Sequence, residues 1–126
     1  MRRVLDSNVW IEAAAGLPHT VRALADSNAG GWCGFSAISR LEVLGFPNLS
    51  PTEENSLIFL LSQFHEVQVS GEVIDRAIQL RRRAKIKVPD AIVAATALHL
   101  NAELITRNTA DFKKITGLVV RDTLSF

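Results

Sequence analysis

Four acidic residues, Asp6, Glu42, Asp90 and Asp111, lie far apart in the chain but stand at places where a fold can gather them. Asp6 ends the apolar run Arg3-Val4-Leu5, which reads as a buried strand, and faces a helix start at Ser7-Asn8. Asp111 comes soon after Glu103-Leu104-Ile105-Thr106, a second short strand. Glu42 is on a helix, Ser36 to Phe46, that follows the strand Trp32-Cys33-Gly34-Phe35. In a parallel α/β sheet, residues that follow strands collect at the carboxyl edge, where such folds bind ligands. Asp90 lies in the first turn of a helix that precedes its strand, so this rule alone does not bring it there. Carboxylates crowded together repel, and some take up protons unless a cation neutralises them. Oxygen donors with no His or Cys among them favour Mg²⁺ or Mn²⁺ over zinc. A hard dication so held activates water and stabilises charge on a phosphodiester. The chemistry expected is metal-assisted phosphodiester hydrolysis.

Three of the four acids also have an ordinary structural role open to them. Asp6 could cap the helix that follows. Ser39-Arg40-Leu41-Glu42 matches a capping box, although Phe35-Ser36-Ala37 already reads as the strand-to-helix junction. Asn108 could cap a short turn with Asp111 at its third position. Ser50-Pro51-Thr52-Glu53 is the better capping box, and Glu53 is read as structural.

The segment Arg81-Arg82-Arg83-Ala84-Lys85-Ile86-Lys87 carries five cations in seven residues directly before Asp90. Basic residues suit a helix C-terminus, but this many exceed what the dipole requires. A polyanion contact is expected here, with Arg81, Arg82, Arg83, Lys85 and Lys87 on a nucleic-acid backbone.

The elements that must position these groups alternate. Val88-Pro89-Asp90 opens a helix through His99 that is apolar on nearly every face, and such a helix belongs in a core. Pro89 fits the first helical position, where no N–H is needed. Val9 to Ala15 forms a helix closed by Gly16 and Pro18. His19 to Asn28 forms another, with Val21, Leu24 and Ala25 as its apolar stripe. Ile38, Leu41 and Phe46 are read as the inward side of the Glu42 helix. Leu57, Leu60, Leu61 and Phe64, widened by Ile58 and Phe59, exceed one core contact and suit a subunit or partner interface. Val67-Gln68-Val69 is a short strand. Ser70 caps a helix from Gly71 to Lys85, with Val73, Ile74, Ala77, Ile78 and Leu80 inward. Leu118-Val119-Val120 is a last strand. Strands alternating with helices predict an α/β domain with a central, mostly parallel sheet and helices on both faces.

The 126 residues favour one domain over 1–126, and an apolar content of 48% is enough for a core. A net charge of +1 names no partner by itself. The single cysteine, Cys33, has no internal disulfide partner, which suits a reducing cytoplasm. His19, His65 and His99 match no zinc spacing. No apolar run is long enough to span a bilayer, and the start reaches Asp6 too soon for a signal peptide.

Taken together, Val4-Leu5-Asp6-Ser7-Asn8, Ser39-Arg40-Leu41-Glu42-Val43, Val88 to Ala97 and Leu104 to Phe112 resemble, in order, the PIN domain and especially the VapC-type toxins of toxin–antitoxin pairs. The resemblance covers essentially the whole chain, and its last two segments are the most specific. It implies a three-layer α/β/α fold and a divalent-metal site that hydrolyses RNA, with Mg²⁺ or Mn²⁺ as cofactor. Asp6 and Asp90 would be the principal ligands, Glu42 would complete the first metal site, and Asp111 would support a second metal or orient the attacking water. Ser7, Asn8, Thr106 and Asn108 would be hydrogen-bond donors behind the acids, and Arg107 would join the RNA-contacting cations. The resemblance also implies a homodimer and a cognate antitoxin that blocks the site. Two other readings compete: a PIN-fold RNA- or protein-binding module without nuclease activity, and a phosphoryl-transfer enzyme using Asp6 as nucleophile.

Overall fold

The computed structural model describes residues 1–126. Five strands, β1 (Arg2–Leu5), β2 (Trp32–Ser36), β3 (His65–Val67), β4 (Glu103–Ile105) and β5 (Val120–Arg121), form one sheet in the order β3-β2-β1-β4-β5. Every pairing is parallel. The helices are α1 (Ser7–Ala14), α2 (Pro18–Ala29), α3 (Ala37–Leu44), α4 (Pro51–Ser62), α5 (Gly71–Arg83), α6 (Val88–His99) and α7 (Thr109–Phe112), with a 3-10 turn at Thr123–Ser125. No helix is long and apolar enough to cross a membrane.

Successive strand residues face opposite sides of a sheet, and that alternation divides the interior in two. Val4 and Leu104 join α5, α6 and α7 in one apolar cluster, with Val73, Ala77 and Phe112. Leu5 and Ile105 turn to the other face and pack with Trp10, Phe35, Val43 and Leu57. Trp10 anchors the second cluster, edge-on to Phe35 and Phe64 with centroids 5.3 and 5.0 Å away. Its buried Nε1–H donates to the Leu5 carbonyl at 3.1 Å, so the indole carries no unmet donor. The sheet with helices on both faces agrees with the expected three-layer α/β/α class.

α6 is the central helix. Ala91 through Ala97 are buried without interruption. Four alanines in that run leave room for close approach to the sheet, and the Thr96 hydroxyl is satisfied by the Ile92 carbonyl at 2.7 Å. At Gly34 in β2, a Cβ would stand 2.5 Å from the His65 carbonyl and from the Trp32 ring, so only glycine permits the local approach of β2 to β3. Cys33 is buried, which pushes its thiol up to about 12 and leaves it an inert core residue.

Several local expectations change. Pro18 opens α2 and does not close α1. The buried side of α2 is Thr20, Ala23, Leu24 and Ser27, while Val21 and Ala25 face solvent. On α3 the buried residues are Ser39 and Val43; Leu41 and Phe46 are 67% and 60% exposed. The cap of α3 is Ser36, whose hydroxyl accepts from the Ile38 N–H, as the Phe35-Ser36-Ala37 junction predicts, and Ser39 and Glu42 form no capping box. Ile74 and Ile78 of α5 are exposed, leaving Val73 and Ala77 as its buried contacts. β3 starts earlier and β5 later than expected. The differences in buried helix faces share a cause: apolar spacing marks a stripe, but the angle at which the helix meets its neighbours selects which part of it is covered. The Ser50–Glu53 capping box is present in both directions, as expected.

Candidate active site

β1 and β4 are neighbours in register, with Leu5 opposite Ile105. The next residue of each strand therefore emerges at the same point of the carboxyl edge. The Asp6 N–H donates to the Ile105 carbonyl at 3.0 Å, and the Thr106 hydroxyl donates to Asp6 Oδ2 at 2.9 Å. Asp6 Oδ1 accepts from the Ser7 N–H at 2.8 Å, so Asp6 is the cap of α1 as well as a member of the site. The Ser7 hydroxyl donates to Glu42 Oε1 at 2.7 Å, tying α3 to the same point. Thr106 Oγ1 also accepts from the Asn108 N–H at 3.0 Å, which fixes the turn into α7 and Asp111.

Asp90 joins them. α6 ends one short turn before β4 begins, at the amino edge of the sheet; its first turn must therefore lie at the carboxyl edge. The charges at Asp6, Asp111 and Glu42 all act on Asp90. Its carboxyl is pushed up to about 6, first by burial and then by those three acids, against a smaller lowering by Lys87. Asp6, only 5% exposed, is raised for the same leading reason, burial. The Ser7 and Thr106 hydrogen bonds oppose that rise, and the Glu42 and Asp111 charges add to it. None of the four acids has a Lys, Arg or His ion-pair partner.

No three His, Cys, Asp or Glu side chains stand close enough together to enclose a metal ion as they lie. The donor chemistry nevertheless fits a hard dication. All four groups are carboxylates, and the two hydrogen bonds to Asp6 leave each of its oxygens a further lone pair. Asp6 is fixed by two hydrogen bonds and Glu42 by the Ser7 hydroxyl, whereas Asp111 is exposed and makes no side-chain hydrogen bond or ion pair.

The expected donors behind the acids divide. Ser7 and Thr106 bond to carboxylates, but Asn8 is exposed and Asn108 offers only its backbone, without a side-chain cap for α7. The expected cations divide too. Beside Asp90 and Asp111 opens a cleft of about 430 Å³ lined by Arg81, Lys85, Lys87 and Lys114. Arg82 and Arg83 are exposed outside it. Arg107 is paired with Glu12 at 3.1 Å and Asp122 at 3.5 Å, and also meets His19 Nε2 at 2.9 Å. Lys114 escaped the reading of the sequence; the only signal was the Lys113-Lys114 pair just beyond Asp111. A separate apolar hollow of about 370 Å³ runs between α1, α3 and α4, lined by Ile11, Val43, Phe46, Leu49 and Leu57. Phe59 and Ile58 of α4 remain 69% and 45% exposed, in keeping with the apolar surplus seen in that helix.

The family model for the PIN domain matches residues 3–118. No curated protein matches the chain significantly. Among solved structures, a toxin–antitoxin complex from Klebsiella pneumoniae is 34% identical, with a TM-score of 0.79 over 93% of this chain and 95% of that one. FitAcB from Neisseria gonorrhoeae is 25% identical, with a TM-score of 0.80 over 98% and 99% of the two chains. VapBC2 from Rickettsia felis, bound to a DNA fragment from its promoter, shares the fold at 21% identity, with a TM-score of 0.87 over 97% and 98%. With its parallel sheet, its acids at the carboxyl edge and a match over nearly its whole length, the chain belongs to the PIN domain family and is similar to the toxin–antitoxin structures of VapBC type.

Proposed function

We propose that this protein is the toxin of a toxin–antitoxin pair and acts in the cytoplasm as a metal-dependent endoribonuclease. The observation that carries the reading is the crowding of Asp6 and Asp90. Both are raised by burial and by neighbouring acids, and neither makes an ion pair. Asp6 and Asp90 would hold Mg²⁺ or Mn²⁺, with Glu42 and Asp111 completing the set. When bound, such an ion supplies Lewis acidity and lowers the pKa of water in its shell. The chain's own residues do the rest. Ser7 and Thr106 fix the Asp6 carboxylate through one hydrogen bond to each oxygen, and Ser7 holds Glu42 beside it. Asp111 is exposed and makes no ion pair, so its carboxylate is available to orient the attacking water. Attack at phosphorus would leave a 5′-phosphate and a 3′-hydroxyl.

The family, and the similarity to a toxin–antitoxin complex from Klebsiella pneumoniae, support a cognate antitoxin as partner. The apolar hollow beside α1 and the exposed apolar residues of α4 are the surfaces offered for the antitoxin and for a homodimer. The test is a metal-dependent digest of cellular RNA with sequencing of the new ends. Discrete cuts that vanish with EDTA and with Asp6→Asn support the reading. RNA retention without metal-dependent cleavage would favour a binding module instead.

A further inference from the structure

Cations are distributed unequally around the four acids. On the α3 side, Arg40 is bound in two places by Glu66. On the loop after β4, Arg107 is bound by Glu12 and Asp122. The hollow between α1, α3 and α4 has no cation in its lining and carries Glu53. Only the side formed by the end of α5, the loop into α6 and the segment after α7 keeps cations without carboxylate partners: Arg81, Lys85, Lys87 and Lys114. These line a cleft whose floor is shared with Asp90 and Asp111. The Lys114 ammonium donates to the Lys85 carbonyl, so the two walls of the cleft are tied across it. Ile86, buried between Lys85 and Lys87, anchors the loop in the core.

Resting on the nuclease reading, we propose that the RNA backbone is gripped on one side of the cut only. The phosphates that enter the Arg81–Lys85–Lys87–Lys114 cleft carry the electrostatic binding, while the strand on the far side of the scissile phosphate leaves over a surface without available cations. Affinity then resides in one of the two products, and substrate length matters on that side alone. Arg82 and Arg83, in the same helical turn as Arg81 but outside the cleft, contribute little to it.

The test uses a single-stranded RNA with one cut site, in which each phosphate in turn is replaced by an uncharged methylphosphonate. Binding is measured without metal and cleavage with Mg²⁺. Neutral linkages on one side of the cut should weaken binding and raise KM by about fivefold or more, and those on the other side by less than about twofold. Each phosphate contact on a single strand adds about 0.7 to the slope of log Kd against log salt, so Lys85→Ala with Lys114→Ala should lower that slope by about 1.4. Lys114→Arg should restore its share, and Arg82→Ala with Arg83→Ala should leave most of the slope. Melting curves identify any variant that fails to fold, in which case Lys87→Ala with Lys114→Gln replaces it. Equal losses on both sides of the cut, or an unchanged slope in the cleft variant, would overturn one-sided gripping. Absence of cleavage by the unaltered protein would remove the nuclease reading, and the metal-free binding series would then decide the cleft by itself.

Discussion

A buried charge stands near each end of β1, Arg3 within the strand and Asp6 just past it, and the two are treated in opposite ways. At the amino edge Arg3, 8% exposed, is met by Asp26 at 2.8 Å and Glu103 at 3.2 Å. At the carboxyl edge Asp6, buried to a similar degree, is met by Glu42, Asp90 and Asp111 and by no cation. The first arrangement is complete within the chain, because a buried charge is tolerated when paired and hydrogen-bonded. The second is incomplete by design of its neighbours: hydrogen bonds from Ser7 and Thr106 hold Asp6 still but leave the surplus of negative charge. The chain thus pairs one buried charge and leaves the other, three residues away, without an ion pair, and the proposed metal site rests on that difference.

The contrast can be broken by mutation. Asp90→Asn should lower metal-dependent RNA cleavage by about 1000-fold, the scale of losing an electrostatic group that acts on the transition state, with circular dichroism unchanged. A variant that keeps full rate, with contaminating nuclease excluded, would show that the crowded end is not catalytic. At the other end, Arg3→Ala should destabilise the fold by about 1–2 kcal/mol, because Glu103 is half-buried and keeps only the longer pair with Arg121 at 3.9 Å. Chemical denaturation would read this, and a loss under about 1 kcal/mol would mean that the pair is replaceable by solvent.

Thr106→Val tests the positioning of Asp6. It removes the donor to Oδ2 and the acceptor for the Asn108 N–H, and should cost about 1–2 kcal/mol while raising the Asp6 carboxyl further. The pH profile of cleavage should shift upward on its acid limb; an unmoved limb would leave Thr106 a purely structural residue.

The smallest effect concerns stability without metal. Asp90 has a folded value of about 6, above its ordinary 3.8. The folded state therefore binds its proton more tightly than the unfolded chain. This group's contribution to stability is most favourable below about 3.8 and declines as pH rises through about 6, with the carboxylate's full penalty present above that. Asp90→Asn should accordingly raise the melting temperature at pH 8 by roughly 2–5 °C, the response to about 1 kcal/mol after solvent screening is discounted. The gain should shrink at pH 5, and Mg²⁺ should stabilise the unaltered protein but not the variant. A variant less stable than its parent at pH 8 would remove the picture of unrelieved repulsion.

Much of this was legible before any coordinates. Parallel sheet, buried α6 and the emergence of Asp6 and Thr106 follow from apolar runs, Pro89 and strand-to-helix junctions, because main-chain periodicity and caps are local properties. The carboxyl-edge rule also reaches Glu42 and Asp111. It did not reach Asp90, yet the direction was implicit: a helix that leads straight into β4 must begin at the opposite edge. Tertiary structure alone decided how the charges sort. Sequence spacing says nothing about which of Arg81, Arg82 and Arg83 turns towards Asp90, nor that Glu12 and Asp122 claim Arg107, nor that Lys114 comes back to meet Lys85. Those outcomes depend on helix rotation and on contacts between segments far apart in the chain, and only packing fixes them.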